Sequence, residues 1–476
     1  MHNIFAYLLQ QELIPQEEQS TLEEILAKPL PVVFRVHENG TVVPGWLRNL
    51  LHNFSREFTG DQTISVMAPV KQGFDKSHDR NPNKEQTVGD GELDVCVSTA
   101  PPKAEVLPPE ELKPPQQLEW DPRGRVWMLD VARQVVRRTP ALLQFKTFLE
   151  EHTEMGDIVR QEAVSMLPPL LLDVQPEHQV LDMCAAPGSK TTQLLEDLAR
   201  SHATHAAASS SSSAPRGVVV ANDCSYDRAC LLSHRVRSLH SPCSMVVSHK
   251  GEDLPFPEEF FHRVLCDVPC SGDGTVRKSP NMKWRSARSV PLNCLQVQLC
   301  LHSLRLLKVG GLMTYSTCSM NPVENEAVLA EVLRRCGATV EIVDASDQLP
   351  GVARRPGVCT WRVQDVDKPQ VWLSSFEEVP ESRAWRMPSS LFRDGAGKDA
   401  THSAQHPAMA TQLARCWRLY PHLQNTGGFF IALLRKKAAF PPSALHNLPD
   451  PPDIFGQDRS RAEGKGKDEE AGDAMG

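Results

Sequence analysis

The chain has 476 residues, 40% of them hydrophobic, with 38 prolines and a formal net charge of −8. Such a length holds about two or three domains with ordinary cores. The prolines point to linkers or insertions, and the acidic balance confines any nucleic-acid footprint to a local patch. Thirteen cysteines, an odd number without a CxxC pair, exclude a disulfide scaffold, a zinc ribbon and a thioredoxin-type site.

The opening MHNIFAYLLQQELIPQEE reads as an amphipathic helix rather than a signal peptide, because it lacks a basic leading region. No stretch reaches the roughly 18 apolar residues of a membrane span. A soluble, reducing compartment is expected. Residues 1–71 mix helix-like and strand-like signals and form an N-terminal α+β region. Residues 72–118 are rich in Lys, Asp, Glu and Pro and read as a disordered insertion. Residues 119–172 read as helical and basic. There Arg123, Arg125, Arg133, Arg137, Arg138 and Lys146 form either a solvated helix face or an RNA-backbone contact.

From residue 173 to 437 short apolar runs alternate with helical segments. QVLDMCA, GVVVAND, CSMVVSH, RVLCDVP and GGLMTYSTC are the strands, and NTGGFFIALLRK joins as a last one. This alternation predicts a parallel sheet covered by helices on both faces. The serine-rich run at 203–215 reads as a low-complexity insertion and 438–476 as a disordered tail.

In LDMCAAPGSKTTQ a strand ends, a loop of small residues follows, and Gly188 opens a helix. A ligand belongs at such a strand end, beside the helix N-terminus. The loop matches neither the Walker pattern nor GxGxxG, which disfavours ATP, NAD and FAD. S-adenosylmethionine is the common small ligand without a pyrophosphate. Asp223, at the end of the next strand, is the candidate for its ribose, with capping of the following helix as a compatible structural role. Its distance from Gly188 exceeds the roughly 20 residues expected, and setting aside 203–215 brings it back into range.

Asp267 and Cys270 follow the fourth strand of this unit, Thr317 and Cys318 the fifth. In a parallel sheet these ends share one edge with the donor loop, so the two cysteines converge on it. The remaining cysteines, such as Cys230, Cys300 and Cys336, lie in helical contexts and read as core. A thiolate can add to carbon 6 of cytosine and turn carbon 5 into a nucleophile toward a methyl sulfonium. One Cys, one Asp and a general base are chemically sufficient for that reaction.

DMCAAPGSKTTQ, DVPCSGDGT, YSTCSMNPVENEAV and NTGGFF, in that order, resemble the Nop/Sun family of RNA cytosine-5 methyltransferases. RQEAVSMLPPLLL and the opening IFAYLLQQELIP are similar to its eukaryotic tRNA-type branch. The resemblance implies a Rossmann-like α/β S-adenosylmethionine-dependent methyltransferase domain behind a smaller α+β RNA-contacting region. It further implies that Cys184, Ala185, Ala186, Pro187, Gly188, Ser189 and Lys190 hold S-adenosyl-L-methionine, with Asp223 at its ribose and Asp267 facing cytosine and donor. Cys318 resembles the family's attacking nucleophile and Cys270 its second, product-releasing cysteine; Lys190 completes the implied catalytic set. The implied partner is RNA, with tRNA the preferred class and rRNA the alternative. A monomer without membrane or DNA contacts is expected, in the nucleus. Lys250 departs from the pattern: it stands where the family usually has an Asp for the adenine amino group, and Glu252 or Asp253 would have to substitute. That departure, with the insertions, motivates the rival reading of a silent RNA-binding scaffold. A redox-sensing 270–318 cysteine pair is a third.

Overall fold

Parallel strands at the centre of one mixed sheet carry the motifs. The computed structural model describes residues 2–37, 112–209, 216–280, 282, 286–395, 406–446 and 448. The strands are β1 Pro31–Val36, β2 Gln116–Gln117, β3 Val126–Ala132, β4 Ile158–Arg160, β5 Gln179–Asp182, β6 Val218–Asn222, β7 Ser244–Val247, β8 Phe261–Asp267 and β9 Leu307–Thr317, followed by β10 Val340–Ile342, β11 Arg355–Pro356, β12 Val363–Gln364, β13 Trp372–Leu373, β14 Trp417–Leu419 and β15 Phe429–Lys436. The helices used below are α1 His2–Gln10, α2 Gln19–Ala27, α3 Arg133–Arg138, α4 Leu143–Glu154, α5 Ser189–Ser209, α6 Tyr226–Arg237, α7 Ser289–Leu306 and α8 Glu326–Cys336.

The large sheet runs β11-β14-β15-β9-β8-β5-β6-β7, with β10 added on β15. Strands β5 to β9 are parallel, while β15 returns antiparallel beside β9. Chain order reverses between β5 and β8. Ligands of open α/β sheets bind in the crevice at such a switch point. The run Val219–Val220–Ala221 is buried, as a strand covered on both faces should be. Helices α7 and α8 bury nearly every apolar side chain against β8, β9 and β15.

The N-terminal parts fold differently from the sequence reading. Residues 119–172 are not simply helical. Val126–Ala132 and Ile158–Arg160 are strands that flank β1, giving an antiparallel β2-β3-β1-β4 sheet. Along β3 the side chains of Val126, Trp127, Leu129 and Val131 are buried while Asp130 faces solvent. Helix α4 covers this sheet with Phe145, Phe148 and Leu149. The 1–71 segment is therefore split: β1 joins that sheet, whereas α1 and α2 pack Ile4, Tyr7, Leu8 and Leu22 against Val276, Met320 and Tyr420 of the larger domain.

Three boundaries also move. Residues 112–118, placed in the insertion by sequence, include β2 and the buried Leu112. The helix from Ser189 continues to Ser209, through the start of the 203–215 run. Phe440, Ala444, Leu445 and Leu448 pack on the main core, so order extends into the segment read as tail. Residues 38–111, 210–215 and 449–476 lie outside the described residues.

Arg123 and Arg125 are turned away from the role considered for them. Arg125 and Arg35 are buried against Glu196 of α5, and Arg123 pairs with Asp197 at 2.5 Å. Burial alone would raise the Glu196 carboxyl, but Arg35, then His37 and Arg125, hold it at about 2. These ion pairs fasten the small sheet to the larger unit. Arg133, Arg137 and Arg138 remain exposed on α3, and Lys146 pairs with Glu150 at 3.1 Å.

Candidate active site

The loop after β5 is locked by its neighbours. Ala185 N donates to Asn222 O at 2.7 Å, and Ala186 N to Asp223 Oδ2 at 3.2 Å. The Asn222 amide donates to Met183 O and to His249 O, each at 3.0 Å, so one side chain ties three strand ends together. Gly188 has φ +96°, and a Cβ there would lie 2.7 Å from Leu232 Cδ1. The turn into α5 is therefore closed to larger residues. Cys184 is half-buried in this loop, Pro187 is exposed and Ser189 accepts from Arg235 at 2.8 Å.

Asp223 is buried and accepts from Ser225 N and Ala186 N, with Arg228 at 3.2 Å. A carboxylate has about four acceptor positions, so one stays free while Arg228 remains in place. Ser225, rather than Asp223, caps α6. Lys250 is exposed and precedes a short turn over Gly251–Asp253. Gly251 packs against Leu299 and against Met183, the residue just before the Cys184–Lys190 loop.

At the switch point Lys190 Nζ donates to Asp267 Oδ2 at 2.7 Å, and Ser316 Oγ to Asp267 Oδ1 at 2.6 Å. Ser316 reaches it because Asp267 and Ser316 are register partners on β8 and β9. Lys190 also lies 5.5 Å from the Phe429 ring centroid. Burial would lower the Lys190 pKa, but Asp267 and then Asp182 raise it above the ordinary value, so it is a cation. Asp182, bonded to Thr191 Oγ1 at 2.7 Å, is pushed up to about 7 by burial and by the nearby Asp267 and Asp223.

Beyond these groups Cys270 Sγ and Cys318 Sγ are 3.2 Å apart. Both are partly buried. The hydrogen bond to Cys318 and then burial raise the Cys270 thiol well above its usual range. Three loops interlock to place the sulfurs. Gly274 N donates to Cys318 O, and Gly428 N to Gly274 O, both at 2.9 Å. A Cβ on Gly274 would sit 2.2 Å from Gly428 O, so that approach requires glycine. Of the cysteines read as core, Cys300 and Cys336 are buried, but Cys230 is exposed on α6.

The structure thus gathers the strand-end residues at one edge and adds several the sequence reading had not singled out. Ser316, Phe429 and Asn222 were each visible within quoted motifs. Glu162 accepts from Gly427 N at 3.0 Å and Ser165 N at 3.1 Å, and burial raises its pKa. Glu324 and Asp273 lie beneath the cysteine loops. Among the described residues no group of ligating side chains could hold a metal ion, and no helix is long and apolar enough to cross a membrane.

Residues 169–351 match the family model described as 16S rRNA methyltransferase RsmB/F. A tRNA (cytosine(34)-C(5))-methyltransferase of Drosophila melanogaster is 40% identical over 341 residues, covering 69% of this chain and 43% of that protein. A multisite-specific tRNA:(cytosine-C(5))-methyltransferase of Schizosaccharomyces pombe is 40% identical over 355 residues, covering 69% of this chain and 49% of its own. Residues 169–351 are of the RsmB/F family, also called Nop/Sun. It spans a little under half the length of these relatives. Its fold is also that of a methyltransferase homologue from Pyrococcus horikoshii, with a TM-score of 0.50 at 21% identity, covering 88% of this chain and 91% of that one.

Proposed function

We propose that this protein transfers a methyl group from S-adenosylmethionine to carbon 5 of cytosine in RNA, with tRNA the substrate class. The observation that carries the reading is the Cys270–Cys318 contact at 3.2 Å on the sheet edge that also holds the Lys190–Asp267 pair. The tRNA class is supported by the two tRNA-modifying relatives.

The residues of the crevice suit a cationic adenosyl donor. Asp182, Asp223 and Asp267 surround the loop against two cations, Lys190 at Asp267 and the partly exposed Arg228 at Asp223. A sulfonium would offset that excess, and Asp223 retains acceptor capacity for a ribose hydroxyl. When bound, the donor supplies the electrophilic methyl group. Cys184–Lys190 and Asp223 would hold it, and the turn at Lys250 borders it. Lys190 fixes Asp267 as a carboxylate partner for the cytosine ring.

Cys318, as thiolate, bonds to carbon 6. After methylation Cys270 takes the carbon-5 proton, the C–H electrons restore the C5–C6 double bond, and the carbon–sulfur pair leaves with Cys318. Hydrogen bonding to Cys318 is the largest cause of the raised Cys270 pKa. Once Cys318 is bonded to carbon its sulfur no longer accepts that hydrogen bond as a thiolate, so Cys270 ionises more readily; its thiol proton passes to solvent, and the thiolate left behind takes the proton from carbon 5.

The test is incubation of the purified protein with unmodified tRNA transcripts and labelled S-adenosylmethionine, followed by bisulfite sequencing. Protected cytosines that vanish with Cys318→Ala are expected; none with the native protein would refute the reading. A redox pair would use the same sulfur contact, and its mark would be no donor binding in calorimetry. We place the protein in the nucleus as a monomer, because the family resemblance suggests that compartment and one copy supplies every site residue. A fluorescent fusion and light scattering check both.

A further inference from the structure

We infer that Glu324 is a positioning residue that sets Cys270 against Cys318, and with it the balance between the covalent RNA adduct and its release; this rests on the methyl-transfer reading above. Glu324 is fully buried. Its Oε2 accepts from Ser271 N at 2.7 Å and Gln296 Nε2 at 3.2 Å, and its Oε1 from Ser271 Oγ at 2.6 Å, Ser289 Oγ at 2.7 Å and Ser319 Oγ at 2.9 Å. Ser271 directly follows Cys270, and Ser319 directly follows Cys318. One carboxylate therefore grips the residue next to each sulfur, from the side away from the crevice.

A buried carboxylate is a costly way to join two loops unless its position matters, since a buried charge loses its hydration. The adjacent guanidinium of Arg418 does not offset it, being paired with Glu326 and donating to Met320 O at 2.8 Å. The hydrogen-bond donors to the Glu324 carboxylate, from Ser271, Ser289, Gln296 and Ser319, are all neutral. Only an acceptor-only group can take all of these donors at once; a glutamine would turn N–H against some of them. Asp273 reinforces the arrangement. It accepts from Met320 N at 2.5 Å and is pushed up to about 8 by burial and by the charge of Glu324. The two carboxyl groups thus have different environments and different tasks. Ser271 carries the main link, because it donates twice, through backbone and hydroxyl; Gln296 adds a second, since its Nε2 donates both to Glu324 Oε2 and to Pro269 O, just before Cys270.

The consequence is directional. Loosening Ser271 moves Cys270, which acts only after methylation, while Cys318 remains held by Ser319, Thr317 and Gly274. Adduct formation should survive and release should suffer.

The experiment compares Ser271→Ala, Glu324→Gln and the control Ser289→Ala, whose hydroxyl reaches the same carboxylate from α7 and accepts from Asn321 Nδ2 on the Cys318 side, without touching the Cys270 loop. Wild-type turnover on tRNA transcript is measured first; its absence would sink the parent reading and this inference with it. Given turnover, Ser271→Ala should slow release by about tenfold, the worth of one hydrogen bond to a charged acceptor. The enzyme fraction joined to RNA on denaturing gels should rise accordingly, with single-turnover adduct formation within about twofold of wild type. Glu324→Gln should shift in the same direction and Ser289→Ala should not. A readout without RNA tests the geometry itself. Diamide oxidises two thiols to a disulfide and is reduced to the hydrazine, so the rate of 270–318 disulfide formation, followed by peptide mapping, reports the sulfur contact. That rate should fall in Ser271→Ala. Should Glu324→Gln fail to fold, Ser271→Ala alone decides. An unchanged adduct fraction with an unchanged disulfide rate in Ser271→Ala overturns the inference, as does an equal shift in Ser289→Ala.

Discussion

Lys190 Nζ donates to Asp267 Oδ2 at 2.7 Å, joining the first turn of α5 to the end of β8. The pair straddles the topological switch point and is only partly exposed, so its attraction is weakly screened. Asp267 is also held by Ser316, which fixes its orientation. Lys190→Ala would leave that carboxylate without its cation beside the carboxyls of Asp182 and Asp223. Methylation should drop by about a hundredfold or more, the usual cost of removing one preorganised electrostatic partner. Arginine should not restore it, because a planar fork cannot replace a compact ammonium at this position. Single-turnover methylation assays on variants with unchanged melting temperature check this. Activity within threefold of wild type, roughly 0.6 kcal/mol, would remove Lys190 from the chemistry.

Asp223→Ala should weaken S-adenosylmethionine binding by about tenfold or more, since a hydrogen bond to a charged group is worth roughly 1.5–3 kcal/mol. Arg228→Ala should act oppositely. Arg228 occupies one acceptor position of Asp223 from a partly exposed side chain, and removing it frees that position for the second ribose hydroxyl. Calorimetric titration of both variants tests the assignment. Unchanged affinity in Asp223→Ala would refute it.

Asp182 makes the site pH-sensitive. Its native pKa, about 7, lies above the ordinary 3.8, so between those values the folded state binds the proton that the unfolded state has lost. Stability therefore declines as pH rises from near 4 to near 7 and levels off above. Asp273, raised to about 8, bends the same curve, so the contribution must be read by difference. Asp182→Asn should gain stability relative to wild type across that window. A cationic donor favours the ionised form, so its binding should release a proton below pH 7 and tighten as pH rises. Calorimetry in two buffers of different ionisation enthalpy would register the proton. Equal pH dependence in wild type and Asp182→Asn would show that another group titrates.

The donor loop and the two cysteines were legible in the sequence because each follows an apolar strand, and parallel strands deliver their ends to one edge. Asp267 and Cys270 could be placed together from spacing alone. Glu324 and Asp273 could not, since a buried carboxylate is written like a solvated one and its donors, Ser271, Ser289 and Gln296, arrive from distant segments. The small sheet was hidden for the same reason. β3 pairs with β1 across the long intervening stretch 38–111, and RVWMLDVARQVVRR carries apolar residues at both helical and strand spacing. Tyr7 is a further case: its hydroxyl donates to Asn321 Oδ1 at 2.7 Å, a contact between the first helix and the loop after Cys318.

RNA binding should depend on salt in part through the exposed α3 arginines. Arg123 and Arg125 are spent on Asp197 and Glu196, which leaves Arg133, Arg137 and Arg138. If all three meet phosphates, changing them together to Ala should flatten the slope of log K against log salt by roughly 2–3. An unaltered slope would mean that these residues are only a solvated helix face, with Arg137 and Arg138 complementing the C-terminal dipole of α3.

The two cysteines should fail in opposite ways. The target base has to leave its stack before Cys318 can reach carbon 6, at a cost of a few kcal/mol. From then until elimination, enzyme and RNA are one covalent species. Removing Cys318 prevents that bond, so Cys318→Ala should show neither product nor adduct. Removing Cys270 leaves the bond-forming step intact and takes away the base 3.2 Å from the attacking sulfur. Cys270→Ala should then accumulate a protein–RNA species that survives denaturing gels, and the double variant should show none. The comparison is informative because both variants delete a partly buried sulfur from the same contact, and a merely structural loss would affect them alike. The reverse pattern would exchange the two roles. A clean gel with activity retained in Cys270→Ala would take Cys270 out of the mechanism and leave proton removal to another group, for which Asp267, held by Lys190 and Ser316, is the next to replace.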